Sequence, residues 1–112
     1  MRLFPPALIL MLAVSVPAFA SSRSQRERGA AVFAANGCQH CHTIRGTGGH
    51  RGPDLSGVGR AKKKDAIRRQ IVGGSKVMPA FGTILSPKEI DDLVSYLRSC
   101  KDKPKSPPPP EQ

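Results

Sequence analysis

Residues 38–42 combine two thiols and an imidazole at a spacing that suits the attachment of haem. In this Cys-Gln-His-Cys-His run, Cys38 and Cys41 can each add to a vinyl group of the porphyrin, and His42 can ligate its iron. Residues three and four apart lie on one side of a helical turn, so the three side chains can all contact one flat macrocycle. The spacing therefore predicts one haem c, covalently attached and ligated on one side by His42.

Two other chemistries use a Cys-x-x-Cys pair, and both lack their usual context in this sequence. A thioredoxin-like dithiol stands at the head of a helix in a βαβ unit, and no strand-rich pattern precedes Cys38. A structural zinc site needs four ligands, often in pairs, and the remaining candidates His40, His50 and Cys100 have no paired spacing. Haem attachment is therefore favoured over both.

Met78 is the residue best suited to ligate the other side of the iron. It is the only methionine beyond the N-terminal segment, it lies in a glycine-flanked loop, and its thioether is a soft ligand that favours reduced iron. The plain alternative is a methionine that fills a gap in the core. His40 and His50 are expected at the surface, which leaves a bis-histidine haem as a minority interpretation.

Residues 1–20 have the pattern of an export signal. Arg2 precedes an apolar stretch that ends at the Ala-Phe-Ala triplet 18–20, a typical cleavage sequence. A retained membrane anchor is the alternative, but the unbroken apolar run is too short to span a bilayer and prolines flank it. We therefore expect cleavage after about Ala20 and a periplasmic location, with a domain over residues 21–100 and a flexible Lys/Pro-rich tail over residues 101–112.

Three helices joined by long loops are expected to hold these groups, because no strand pattern is found and the fold class is therefore all-α. The first helix is predicted from a Ser24-x-x-Glu27 capping box toward Asn36, and Gly37 ends it. Its buried stripe comprises Gly29, Val32 and Phe33.

The second and third helices have clearer signals at their ends. The second is short and is predicted from about Lys62 to Val72, before Gly73-Gly74. The third begins with a further capping box formed by Ser86 and Glu89. Its apolar stripe comprises Ile90, Leu93, Val94 and Leu97. Cys100 continues this stripe, so it is expected to be a half-buried residue, with an intermolecular disulfide as the alternative.

The sequence resembles the class I c-type cytochromes over roughly residues 28–99. The matching residues, in order, are Gly29 and Phe33, Cys38-x-x-Cys41-His42, Gly52-Pro53-Asp54-Leu55, Met78-Pro79-Ala80-Phe81, and Leu93 with Tyr96-Leu97. The resemblance implies a small helical domain wrapped around haem, whose first and last helices cross closely. It also implies that the carbonyl oxygen of Pro53 accepts a hydrogen bond from His42, that Leu55 packs on the haem, and that Met78 is the second ligand.

Composition agrees with a small domain built around a cofactor that meets acidic partners. Aromatic residues are only 4% of the 112, so a haem would supply apolar surface that the core otherwise lacks. The formal net charge is +10, which favours association with acidic redox proteins, such as a respiratory complex or an oxidase, and weak association with anionic membranes. The main basic cluster comprises Arg60, Lys62, Lys63, Lys64, Arg68, Arg69 and Lys76. A solvated face is the plain alternative, and nucleic-acid binding is disfavoured because no aromatic residues are interleaved for stacking.

These features predict an exported, monomeric, monohaem electron carrier rather than an enzyme. Electrons would pass through an exposed haem edge while both axial positions of the iron stay filled. Two alternatives remain open at this point. One is a haem c subunit of a larger oxidoreductase complex, and the other is a gas-binding haem with an open axial position.

Overall fold

The computed structural model describes residues 3, 13–15 and 18–103, and in these the fold is all-α, as predicted. The four helices are α1 (Ala18–Ala35), α2 (Val58–Ala61), α3 (Lys64–Gly73) and α4 (Pro87–Ser99). Two single 3-10 turns, Cys38–His40 and Phe81–Thr83, lie between them. This arrangement is consistent with the small helical domain that the resemblance implies.

The last helix, α4, begins as its sequence predicts. The backbone N–H of Glu89 donates to the Ser86 hydroxyl at 3.2 Å, and the backbone N–H of Ser86 donates to the Glu89 carboxylate at 3.0 Å. Both halves of the capping box therefore satisfy N–H groups that the first turn leaves unpaired. The predicted stripe faces the core, where Leu93 and Val94 are fully buried and Cys100 closes the row as a buried residue.

The first helix, α1, starts earlier than its sequence predicts. The helix runs from Ala18 to Ala35, so Ser24 lies inside it and the predicted Ser24 capping box is wrong. Residues 18–23 contain neither glycine nor proline, so the helix continues through them and Ser24 has no helix end to cap. Arg23 pairs instead with Glu27 one turn later at 3.2 Å. At the other end, Gly37 leaves the helix with a φ of 71°.

Helices α1 and α4 pack directly on each other, as the resemblance implies. At Gly29 the two backbones touch, since an added Cβ would lie 2.0 Å from the carbonyl oxygen of Asp92. One turn further along α1, the rings of Phe33 and Tyr96 meet edge to face with 5.8 Å between their centroids. This crossing forms one wall of the core.

The segment between the haem motif and α3 is more ordered than expected. Two antiparallel two-residue strands, β1 (Thr43–Ile44) and β2 (Thr47–Gly48), form a hairpin, although the sequence shows no strand pattern. Its turn is built on Arg45 and Gly46, with φ values of 51° and 82°, as a two-residue hairpin turn requires. A separate helix, α2, follows, and α3 starts two residues later than predicted.

The predicted export signal and tail fall largely outside the described residues. Apart from residues 3, 13–15 and the backbone of 18–20, the first twenty residues are not described, and neither are residues 104–112. In the part of the chain that the structure describes, no helix is long and apolar enough to cross a membrane.

Candidate haem-binding site

The Cys-x-x-Cys-His motif folds into one tight turn directly after α1. The backbone N–H groups of Cys41 and His42 both donate to the carbonyl oxygen of Cys38, at 3.2 and 3.0 Å. Both cysteines are half-buried free thiols, and burial, with the nearby Cys41 adding to it, raises the pKa of the Cys38 thiol.

The orientation of His42 is set by the loop that returns alongside the motif. Its Nδ1 lies 2.8 Å from the carbonyl oxygen of Pro53, and the backbone N–H of Gly52 donates to the Cys41 carbonyl oxygen at 2.7 Å. A Cβ on Gly52 would lie 2.5 Å from Cε1 of His42, so only glycine lets this loop come so close. With Nδ1 donating to a carbonyl, Nε2 carries the free lone pair and can bind a metal.

The loop that carries Met78 is closed by its own hydrogen bonds. The backbone N–H of Ser75 donates to the Met78 carbonyl oxygen at 2.8 Å, and the backbone N–H of Met78 donates to the Ser75 hydroxyl at 3.1 Å. Gly74 permits this closure because its φ is 63° and a Cβ there would lie 2.4 Å from the Met78 carbonyl oxygen. The amide nitrogen of Gln70 lies 3.9 Å from Sδ of Met78.

His42 and Met78 line one apolar crevice, together with Cys38 and Leu55. Its other lining residues are Phe33, Ile71, Phe81, Leu93 and Leu97. An apolar cleft that carries an imidazole, a thioether and a cysteine thiol fits haem, which needs burial for its macrocycle and soft or imidazole ligands for its iron. The residues present therefore fit the group that the motif predicts.

The two other histidines stay outside this crevice. His40 and His50 are both exposed, and Nδ1 of His50 lies 3.4 Å from the Thr43 hydroxyl. Neither lines the crevice. Among the described residues, no group of three or more His, Cys, Asp or Glu side chains is arranged to hold a metal ion, so the zinc alternative has no geometric basis there.

Sequence reasoning did not anticipate several crevice residues. Ile71 is not among the predicted site residues, and Phe33, Leu93 and Leu97 are predicted only to lie on the buried stripes of the first and last helices. The signal was present in those stripes, but a stripe does not say whether it faces another helix or a cofactor. The clamp between Ser75 and Met78 had no recognisable signal, because serine is common in loops of every kind.

Comparison with known proteins agrees with the geometry of the site. The family model described as "Cytochrome C oxidase, cbb3-type, subunit III" matches residues 24–97. The chain is 29% identical to cytochrome c-555 of Methylococcus capsulatus over 98 residues, which cover 86% of this chain and 80% of that protein. It is 35% identical to cytochrome c6 of a Synechococcus species over 101 residues, which cover 80% of each chain. No solved structure matches with significance.

The chain therefore belongs to the c-type cytochromes, in the family that this model describes. It is a monohaem class I cytochrome with one covalently bound haem c, and it is an electron carrier rather than an enzyme.

Proposed function

We propose that the chain is an exported one-electron carrier whose iron is ligated by His42 and Met78 and whose haem is attached through Cys38 and Cys41. The observation that supports it most strongly is that His42 and Met78 belong to separate loops, each fixed by its own hydrogen bonds, and line the same apolar crevice. Two fixed axial ligands leave no position for a substrate.

The haem iron supplies the one-electron couple, and the protein keeps its surroundings constant. Pro53 accepts the Nδ1–H of His42 and so fixes the ring orientation and the basicity of Nε2. Ser75 clamps the backbone of Met78 at both its N–H and its carbonyl oxygen. Leu55 and the aromatic rings of the crevice keep water away from the cofactor. A site that is held in this way changes little between oxidation states, so little energy is needed to reorganise it.

Substitution of Met78 separates a closed carrier from an open gas-binding haem. If Met78 is the ligand, Met78→Ala opens one axial position, so the reduced variant binds carbon monoxide while the wild type does not. Val77→Ala is the matched control, because Val77 lies in the same loop with 85% of its surface exposed. Carbon monoxide binding by the wild type, unchanged in Met78→Ala, would overturn this ligation.

We further propose that residues 1–20 are removed on export to the periplasm, leaving residues 21–100 as the cytochrome domain and residues 101–112 as a tail. Mass spectrometry of the protein from an exporting, haem-maturing host tests this directly. A mature chain that begins at about Ser21 supports it, and a full-length chain retained in the membrane contradicts it.

We also propose that the redox partners are acidic and that the carrier is a monomer. The net charge of +10 supports the first, as does the exposure of the basic cluster, in which all members are exposed except the half-buried Arg68. Fields of this kind speed association and weaken with salt. Electron-transfer rates that do not fall as ionic strength rises would contradict acidic partners.

A second candidate is a haem subunit of a larger oxidase. It is favoured by the description of the matching family as a subunit of a cbb3-type cytochrome oxidase. Size-exclusion chromatography of native extracts, followed by haem staining, distinguishes the two. Elution at or slightly below 12.0 kDa, the mass of one full-length chain, supports a free carrier, and stable co-elution with a larger complex supports the subunit.

A further inference from the structure

A second concave feature lies away from the haem crevice, between α1, α4 and the first residue of α3. It is a groove of about 630 Å³. Four cationic side chains line it, from Arg26, Lys64, Arg98 and Lys101, against the single carboxylate of Asp91. Serine hydroxyls and the amide of Gln25 complete a polar lining. The groove therefore has a polar lining with an excess of positive charge.

The charges of this groove are not neutralised internally. Among the described residues, Arg26, Lys64 and Lys101 have no carboxylate within ion-pair distance. The carboxylate of Asp91 is already bonded to Arg68. At least three cations of the groove are thus available to an external anion.

The groove and the haem crevice lie on opposite faces of α4. Leu93 and Leu97 line the crevice, whereas Ser95 lines the groove. Successive residues of a helix are rotated by about 100°, so Ser95 is about 200° from each of these leucines. A ligand seated in the groove would therefore leave the haem crevice uncovered.

We propose, on the basis of the electron-transfer function proposed above, that this groove seats an extended acidic polypeptide segment of a redox partner. Carboxylate side chains match its cations. A flat bilayer does not enter a concave groove, and the lining has no large apolar side chain to insert into lipid. The lining has no aromatic side chain on which a nucleobase could stack. Because the haem edge stays free, the segment tethers the partner while electrons leave through the other face.

The test uses the reduced, haem-loaded protein and a short poly-glutamate peptide at low ionic strength. Amide NMR shifts of the isotope-labelled protein locate the peptide, and calorimetry gives its affinity. We expect shifts confined to the groove residues of α1, α3 and α4. The double variant Arg26→Glu/Lys64→Glu should weaken binding about tenfold or more, since two attractive pairs become repulsive.

The matched control is the double variant Arg51→Glu/Lys103→Glu, which makes the same change in net charge at exposed residues outside the groove lining. It should retain most of the affinity. Equal weakening by both double variants, or no saturable binding at all, would overturn the proposal. Binding to vesicles with anionic lipids is measured separately. If the protein binds only the vesicles, and Arg26→Glu/Lys64→Glu abolishes that binding, the groove binds a membrane surface and not an acidic segment.

Peptide binding and axial ligation are measured independently. If the reduced haem does not bind carbon monoxide and the protein does not bind the peptide, only the groove proposal is contradicted. If the protein binds the peptide but its reduced haem also binds carbon monoxide, only the proposed ligation by His42 and Met78 is contradicted.

Discussion

Gly29 and Asp92 are in direct backbone contact across the crossing of α1 and α4, where a Cβ on Gly29 would lie 2.0 Å from the Asp92 carbonyl oxygen. The obstructing atoms are the carbonyl group of Asp92 and the Cβ of Tyr96. These atoms are fixed by the backbone of α4, so none of them can move aside as the end of a flexible side chain could. Because Gly29 has no side chain, α1 and α4 can approach this closely. Their separation in turn sets the width of the core beside the haem crevice.

Gly29→Ala should therefore destabilise the domain, although alanine is the better helix former. The clash costs about 1–3 kcal/mol and outweighs the gain of up to about 1 kcal/mol in helix propensity. Denaturant unfolding measures the difference. Gly73→Ala is the control, since a Cβ at Gly73 meets nothing within 4 Å, and it should be neutral or stabilising. A stable Gly29→Ala protein would show that the helices can separate at no cost.

The buried carboxylate of Asp92 should also matter for stability. Its side chain is 6% exposed and lies 3.2 Å from Nε of Arg28 and 4.0 Å from Nζ of Lys88. Asp92→Asn removes the charge that both cations face, and we expect a loss of about 1–3 kcal/mol in the free energy of unfolding.

Glu27→Gln is the matched control for Asp92→Asn. It breaks the ion pair with Arg23, in which both side chains are largely exposed, and it should cost less than about 0.5 kcal/mol. Equal effects of the two substitutions would mean that burial of Asp92 adds nothing to its pairing.

Two serines with the same sequence signature should respond differently to substitution. Ser86 caps α4 through its hydroxyl, so Ser86→Ala should cost about 0.5–2 kcal/mol. Ser24 lies within α1, so Ser24→Ala should be neutral or stabilising by up to about 0.5 kcal/mol. Chemical denaturation of both variants tests this, and a loss at Ser24 equal to that at Ser86 would restore the capping role predicted from sequence.

These two serines also show what local sequence can and cannot predict. The box at Ser86 follows a loop and is joined by Pro87 at the first helical position, so several signals agree and the prediction is confirmed. No glycine or proline directly precedes the capping-box pattern at Ser24, so α1 continues through this pattern instead of beginning at it. The apolar stripes of α1 and α4 were predictable because their spacing follows directly from helix geometry.

Features that depend on contacts between distant segments were less accessible from sequence. The hairpin at residues 43–48 arises from positive φ values at Arg45 and Gly46, and an arginine gives no sign of such a conformation. The approach of Gly52 to His42 joins two loops that are separate in the sequence, and no local pattern indicates it. The resemblance to a known family implied only the neighbouring hydrogen bond from His42 to the Pro53 carbonyl oxygen.

Gln70 should tune the redox potential through Met78. Its amide nitrogen lies 3.9 Å from Sδ of Met78. If Met78 ligates the iron, as proposed above, this N–H would draw electron density from the sulfur and make it a weaker donor to ferric iron. Gln70→Leu removes this contact and should lower the midpoint potential by about 20–60 mV, which corresponds to one ordinary hydrogen bond. Spectroelectrochemical titration measures it. An unchanged or raised potential would show that the contact does not affect the ligand.

The turn after Pro53 should give the fold an acid-sensitive contribution. The backbone N–H and the hydroxyl of Ser56 both donate to the Asp54 carboxylate, at 2.8 and 2.6 Å, and they lower the pKa of Asp54 in the folded chain. The ionised form therefore stabilises the turn. This contribution is complete above the ordinary aspartate pKa of about 4 and is lost as pH falls through the lower folded value.

Asp54→Asn keeps an oxygen acceptor but cannot ionise, so it isolates the titration of this group. Denaturant unfolding of both proteins from neutral to acid pH should show a wild-type advantage that shrinks as the solution becomes more acidic. A difference in stability that is independent of pH would mean that the charge of Asp54 has no role in the turn.

The central claim, a closed haem held between His42 and Met78, is tested most directly by the visible spectrum of the wild-type protein from an exporting, haem-maturing host. The oxidised form should show a methionine-to-iron charge-transfer band, and the spectrum of the reduced form should not change when carbon monoxide is added. Absence of that band together with ready binding of carbon monoxide would contradict the claim and show an open haem.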